Sequence, residues 1–162
     1  DRLTAVYRSE ANGRIARADT GARGQGHYVD GPRRNFAGGA GLLSTARDYA
    51  TFLQMLLERG ALDGKRLLSP RSVELMTTNQ VGALYGTPGQ GFGLGFSTTD
   101  RLGSTGFNSV GTFGWAGAYA TTYQVDPAQR LVMVLMLQNV PNRADIRAKF
   151  PTYVYQALID AK

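Results

Sequence analysis

Near residue 91 the apolar pattern of the sequence changes from helical spacing to alternation. Before that point apolar side chains recur three or four positions apart, whereas Phe92, Leu94 and Phe96 alternate with glycines. The first spacing places side chains on one face of an α-helix, and the second places them on one face of a β-strand. A helical segment followed by a sheet is therefore predicted.

Two helices are predicted in the first half of the chain. One begins after Ser44, whose hydroxyl can accept a hydrogen bond from a first-turn amide, and it ends at Gly60. The other begins at Pro70, in the first helical position, and ends near Thr78. Residues 38–80 are thus predicted to be a helical segment.

The first part of the chain has no sustained apolar period. Residues 1–37 are polar and glycine-rich, which predicts extended or loop structure with one short strand at residues 3–8. The sequence starts at Asp1, without an initiator methionine or the apolar core of a signal peptide. We therefore expect a chain whose start was removed, or a fragment of a longer protein.

Strands are predicted in the second half. Asp126-Pro127 is typical of a tight turn with proline in its second place. The run after it is apolar on both faces, which indicates a central strand. An antiparallel sheet of three to four strands is expected, with strands at residues 92–96, 110–115, 119–125 and 131–137.

The chain is predicted to end in a helix that packs on this sheet. Because Pro151 lacks an amide hydrogen, the helix is expected to begin there and to run over residues 151–161, after a short turn at residues 143–149. Residues 91–162 would then comprise the sheet and its C-terminal helix.

Composition excludes several functions. The 162 residues include no cysteine and a single histidine, His27, so neither a thiolate nor a multi-histidine metal site is expected, and no cofactor is predicted. The net charge of +6 comes from scattered basic residues, which indicates a solvated surface and not nucleic-acid binding. No apolar run approaches the roughly 20 residues of a membrane span. Absence of cysteine fits either a cytosolic or an exported bacterial protein.

Searches for a serine nucleophile fail. The Gly-x-Ser-x-Gly motif of α/β-hydrolases is absent, and no serine is followed by lysine three positions later. Ser44 has Arg47 there, and arginine stays protonated, so it cannot serve as the base. His27 with Asp30 is poorly spaced for a triad, and a surface or structural histidine is the better interpretation.

Three stretches, in this order and spacing, resemble the C-terminal portion of one family. They are the glycine-rich entry to a helix at residues 38–50, the Gly-Phe-Gly-Leu-Gly-Phe run at residues 91–96, and Gly-Trp-Ala-Gly-Ala at residues 114–118. Similar stretches occur in serine β-lactamases, in penicillin-binding proteins and, most similarly, in family VIII carboxylesterases. The resemblance implies an α+β fold of the α/β sandwich type.

The resemblance also implies site residues. Trp115-Ala116-Gly117 stands where β-lactamases have Lys-Thr-Gly and where the carboxylesterases often have Trp-x-Gly. Ala118 would donate its amide to the oxyanion, and Trp115, unless it is a buried core aromatic, would wall the pocket. Asn142 falls where related lactamases place an asparagine near the substrate, although a turn explains Pro141-Asn142 equally well.

The family's Ser-x-x-Lys and tyrosine motifs are missing from this sequence, so no catalytic residue is predicted here and the chain alone is expected to be inactive. The complete protein would hydrolyse a small ester or amide. A β-lactamase or D-Ala-D-Ala carboxypeptidase, and a non-catalytic binding module of the same fold, are the alternatives. The expected partner is the N-terminal remainder of the protein, with self-association or domain swapping in its absence.

Overall fold

The computed structural model describes residues 3–19, 42–85 and 87–158 of the chain. Within these ranges the elements follow one another as β1 (Tyr7–Ser9), β2 (Ile15–Arg17), α1 (Ala46–Leu57), β3 (Ala61–Leu62), β4 (Lys65–Arg66), α2 (Pro70–Thr77), a 3-10 turn (Gly82–Tyr85), β5 (Gln90–Phe92), β6 (Ser97–Thr99), β7 (Phe113–Ala116), β8 (Thr122–Asp126), β9 (Leu131–Leu135) and α3 (Ile146–Gln156). Helices before and after a sheet give the α+β architecture that was predicted.

The main sheet has five antiparallel strands in the order β5-β6-β7-β8-β9, one more than the upper end of the predicted range. Each strand pairs with its neighbour in sequence, so the sheet is a meander. Helix α1 packs on one face, and its Leu53 and Leu56 meet Phe113 and Val125 of the sheet in the hydrophobic core. Burial of this apolar stripe against the sheet holds the two layers together.

The single strand predicted at residues 92–96 is wrong. Two short strands, β5 and β6, form a hairpin there, and the Gly93 amide donates to the Phe96 carbonyl oxygen at 2.8 Å across its turn. Gly95 has a φ of +99°, a left-handed conformation that side chains disfavour. The glycines that alternate with the aromatics therefore allow the chain to turn, which alternation alone does not reveal.

The prediction that the apolar strand is central is also wrong, because β9 ends the described sheet. Its Val132 and Val134 face the core beneath α1. Its buried Met133 faces the other side, which it shares with Asp126, where α3 is anchored through Tyr155. Helices on both faces, and not strands on both edges, explain why both faces are apolar.

The first helix begins one residue later than expected. Thr45, and not Ser44, caps α1, and its Oγ1 accepts from the Asp48 amide at 3.1 Å. Gly60, with a φ of +91°, follows the helix end as predicted. Ser69 caps α2 by accepting from the Ser72 amide, and Pro70 is its first residue, also as predicted.

Two small hairpins were not predicted in full. Strands β3 and β4 are joined by Asp63-Gly64, both with positive φ, and an Asp-Gly pair is a strong hairpin signal that could have located them. At the chain start β1 pairs with β2, so the one strand expected at residues 3–8 is a hairpin displaced toward Ser9. The expected loop at residues 20–37 lies outside the described residues.

The C-terminal helix begins earlier than Pro151. Helix α3 starts at Ile146 and runs through the proline, so the turn predicted at residues 143–149 is wrong over its second half. A proline there removes one backbone bond, but the Tyr155 hydroxyl donates to Asp126 Oδ2 at 2.6 Å and fixes the next turn to the sheet. Residues 159–162 lie outside the described part of the chain. No helix within it has the length and apolar character that crossing a membrane requires.

Candidate active site

The backbone of β7 is held tightly just before the predicted site. Ser97 on β6 donates its hydroxyl to the Gly114 carbonyl oxygen at 2.8 Å. A Cβ at Gly114 would press against the Tyr123 carbonyl oxygen of β8, so only glycine permits this close pairing. The position of Trp115, the next residue, is thereby fixed from both neighbouring strands.

Trp115 is the third of the four residues of β7, close to the turn that leads into β8. It pairs with Tyr123 in the register, and its side chain is 44% exposed, so the alternative of a buried core aromatic is wrong. The Phe92 ring of β5 stands edge-on to the indole, with ring centroids 5.0 Å apart and an interplanar angle of 85°. This is a favourable arrangement of two aromatic rings.

In the turn after β7, the amide of Ala118 has no described acceptor. The Gly117 amide donates to the Thr121 carbonyl oxygen at 2.8 Å, and the Ala120 amide donates to the Gly117 carbonyl oxygen at 3.1 Å. Ala118 is exposed, and its amide donates to no acceptor among the residues that the structure describes. An amide without a described acceptor thus stands three positions after an exposed indole, and a free amide is the kind of donor that an oxyanion requires.

Asn142 lies on a segment that runs beside this turn. The Asn139 amide donates to the Tyr119 carbonyl oxygen at 3.2 Å, which brings the chain after β9 alongside residues 117–121. The Asn142 side chain itself accepts from the Ala144 amide at 2.7 Å, as a turn residue does. Trp115 to Ala118 are all exposed, whereas the side-chain Oδ1 of Asn142 is used within its own loop.

A partly buried tyrosine pair lies next to the same part of the sheet. The rings of Tyr49 on α1 and Tyr123 on β8 pack edge to face, 4.9 Å apart. Burial, followed by the hydrogen bond and the charge of Tyr49, raises the pKa of Tyr123 far above its usual value. Tyr123 therefore stays neutral. The residue that pairs with Trp115 in the register is thus aromatic and uncharged.

A cavity of about 300 Å³ adjoins the sheet. Trp115 and Ala116 border it, whereas Gly117 and Ala118 do not. Its other lining residues are mainly uncharged and polar, and the buried Gln124 Oε1 has no hydrogen-bond partner in the described part of the chain. Within that part, no cluster of three or more acidic, histidine or cysteine side chains could hold a metal ion. His27 lies outside it.

Two contributors to the site were not singled out by sequence reasoning. Phe92 was recognised only as a strand residue, and Tyr49 only as part of a helical apolar stripe. The alternation around Phe92 indicates a packed face but not which ring it meets, since β6 separates β5 from β7. No sequence signal distinguishes either residue from ordinary core aromatics.

Known structures with the same fold are enzymes more than twice as long. EstCE1, described as a hydrolase with promiscuous acyltransferase activity, superposes with a TM-score of 0.73 at 21% identity, over 96% of this chain and 43% of its own. Simvastatin synthase (LovD) from Aspergillus terreus gives 0.69 at 21% identity, over 93% and 39% respectively. These likenesses, together with a match to the Beta-lactamase family model, define the fold as that of the serine β-lactamase and transpeptidase class.

Sequence comparison assigns the family. The family model described as Beta-lactamase matches residues 1–154, so the chain belongs to the β-lactamase family. Two Mycobacterium tuberculosis proteins, Uncharacterized protein MT1414 of strain CDC 1551 / Oshkosh and Protein Rv1367c of strain ATCC 25618 / H37Rv, are each 43% identical over 117 residues. Those alignments cover 64% of this chain and 29% of the relatives, so the chain spans less than a third of their length.

Proposed function

We propose that this chain is the C-terminal part of a serine hydrolase of the carboxylesterase type, which hydrolyses neutral esters. The observation that carries the proposal is that the amide of the exposed residue Ala118, three positions after the exposed Trp115, donates to no described acceptor. The serine nucleophile, its lysine and the activating tyrosine would come from residues outside the printed sequence.

The chemistry assigns each group a task. The serine oxygen attacks the ester carbonyl carbon, and the carbonyl oxygen becomes the oxyanion of a tetrahedral intermediate. The Ala118 amide stabilises that charge together with the amide of the nucleophile itself. Gly117 has no Cβ, so the substrate can approach the backbone closely. Collapse of the intermediate expels the alcohol, and water then releases the acid from the acyl-enzyme.

Trp115 favours an ester over a substrate that carries a carboxylate. An indole stands where β-lactamases hold a lysine, and an indole cannot form an ion pair with an anionic group. Strands β5, β6 and β7 contain no charged residue at all. The environment of the proposed site is therefore suited to an uncharged substrate.

The fraction of each relative's length that this chain covers supports a longer parent protein. The chain covers 43% of EstCE1, which is described as a hydrolase, and 29% of the two mycobacterial relatives. The remainder of the parent is then the expected partner of this chain. When the chain is alone, we expect self-association by strand addition or swapping.

The decisive experiment compares the 162-residue chain with the complete protein on p-nitrophenyl butyrate and on a chromogenic cephalosporin. We expect ester hydrolysis by the complete protein only. Preferential cephalosporin hydrolysis would favour a β-lactamase or carboxypeptidase, and no turnover of either compound would favour a non-catalytic module. Ester turnover by the chain alone would refute the claim that the nucleophile lies outside this sequence.

A matched pair of variants tests the oxyanion donor in the complete protein. Ala118→Pro removes the amide hydrogen and should lower kcat by about 100-fold or more, the usual effect of losing one donor. Ala118→Ser keeps the amide and should stay close to the unaltered protein. Equal activity of the two variants, with circular dichroism showing both folded, would exclude Ala118 from this role.

A further inference from the structure

Phe92 and Trp115 meet at one end of the sheet although they lie on different strands. Ser97, the first residue of β6, pairs with Phe92 on one side and with Gly114 on the other. Both aromatic residues therefore lie where β6 begins, and their rings meet there at a centroid distance of 5.0 Å. Trp115 is 44% exposed, so its indole presents apolar surface beside the partly buried Phe92.

The strand that carries Phe92 is firmly held. The Leu94 amide donates to the Met76 carbonyl oxygen at the end of α2, 3.0 Å away, and the Gly93 backbone lies against the same carbonyl group. Leu94 itself is 58% exposed at the tip of this hairpin. The aromatic pair thus stands on a backbone fixed by α2, and a surface ordered in advance costs little entropy on binding.

The strands that carry the pair contain no charged residue. No charged residue occurs in β5, β6 or β7, and the one acidic residue of β8, Asp126, is buried at the far end of that strand. A charged ligand group would lose its hydration here without gaining a partner. A hydrocarbon chain would instead gain from covering the two rings.

We infer that Phe92, together with Trp115, binds the hydrocarbon part of a neutral ester and so determines which substrates the site accepts. The inference rests on the proposed function for its substrate class, since the Ala118 amide near Trp115 would hold the ester carbonyl. Phe92 is then a specificity-determining residue that contacts substrate and also supports the indole.

The test uses Trp115, the only tryptophan of the chain, as its own reporter. Octan-2-one serves as a neutral ester analogue that cannot be hydrolysed, and octanoate serves as a charged probe of similar length. In the 162-residue chain, we expect octan-2-one to protect Trp115 from acrylamide quenching and octanoate to give no protection. Equal protection by the two probes, or protection by neither, would overturn the inference.

Variants at Phe92 test whether this residue contributes to the binding of octan-2-one. Phe92→Leu and Phe92→Met remove the ring but keep apolar bulk, and each should raise the Kd for octan-2-one by about fivefold, the scale of an aromatic contact. Phe107→Leu is the matched control, since Phe107 is an exposed phenylalanine in the loop at the opposite end of the sheet. Two different replacements guard against one failing to fold. A Kd unchanged in both Phe92 variants would refute the role of Phe92.

The binding measurement needs no nucleophile, so the two proposals fail separately. If octan-2-one binds as expected but the complete protein hydrolyses no ester, the proposed function is wrong and the apolar surface stands. If the complete protein hydrolyses butyrate and octanoate esters with ratios of kcat/KM that Phe92→Leu leaves unchanged, only the present inference is wrong.

Discussion

The two ends of strand β8 differ in how their hydrogen-bonding groups are used. At one end Asp126 is fully buried, and its carboxylate accepts from the Ser109, Ala128 and Gln129 amides and from the Tyr155 hydroxyl. At the other end, the turn that leads into β8 leaves the Ala118 amide without a described acceptor and Trp115 exposed.

The difference separates a structural end from a functional end of the same sheet. A buried carboxylate with four donors joins the loop before β7, the turn after β8 and helix α3, so its bonds stabilise the fold. An unused donor beside an exposed aromatic ring adds nothing to stability and is available to a ligand. Substitutions at the first end should therefore change unfolding, and those at the second should change turnover.

The largest effect on stability is expected at Asp126. Asp126→Ala leaves three amides and a hydroxyl without their acceptor in a buried place, and should lower the free energy of unfolding by about 3 kcal/mol or more. Urea unfolding followed by fluorescence measures the change. Asp145→Ala, which removes an exposed ion pair with Lys149, is the control and should have no measurable effect. Similar losses in both variants would contradict the structural role of this end.

A smaller effect is expected from a pair of glycines on either side of Trp115. A Cβ at Gly114 would press on the Tyr123 carbonyl oxygen, so Gly114→Ala should cost about 2 kcal/mol of unfolding free energy. A Cβ at Gly117 would come no closer than 3.9 Å to Thr121, so Gly117→Ala should leave stability within about 0.5 kcal/mol. Urea midpoints of the two variants measure the contrast. Equal urea midpoints would contradict the claim that the backbone is tightly packed at Gly114 in β7 but not at Gly117 in the turn.

Much of this fold follows from local sequence signals. The spacing of Leu53 and Leu56 predicts the helix that faces the core, and the Asp126-Pro127 turn separates β8 from β9 as predicted. The errors arise where tertiary contacts override a local rule. Pro151 is tolerated inside α3 because packing and the Tyr155 bond hold that helix, and β9 is apolar on both faces because helices cover both.

The sequence predicted those site residues that are neighbours along the chain, but not the contacts between residues on different strands. The resemblance of residues 114–118 to a family motif points to Trp115 and Ala118, which are neighbours in sequence. Phe92 reaches Trp115 from two strands away, a contact that depends on where β6 begins. The four donors of Asp126 come from residues 109 to 155, and no pattern in the sequence joins them.

The smallest effect, at Tyr155, gives the sharpest test of how the structural end works. Tyr155→Phe removes one donor from Asp126 and should cost about 1 kcal/mol at neutral pH. Burial alone would raise the pKa of Asp126, but the hydrogen bonds from Tyr155, Ser109 and Gln129 outweigh it and keep that pKa below its ordinary value. A lowered folded-state pKa contributes stability above the unfolded pKa of about 3.9, and the contribution is lost as pH falls through the folded value.

The difference between the unaltered chain and Tyr155→Phe should therefore be full at pH 7 and should shrink as the pH falls below about 4, where the carboxylate takes up a proton. Without the hydroxyl, the pKa of Asp126 in the folded state moves back toward its ordinary value, so the variant should lose less stability than the unaltered chain as the pH falls below about 4. Urea unfolding at pH 7 and at lower pH values gives both quantities. A difference that stays constant down to pH 3 would show that the Tyr155 hydroxyl contributes independently of the charge of Asp126, and the buried carboxylate would then lose its place as the group that joins α3 to the sheet.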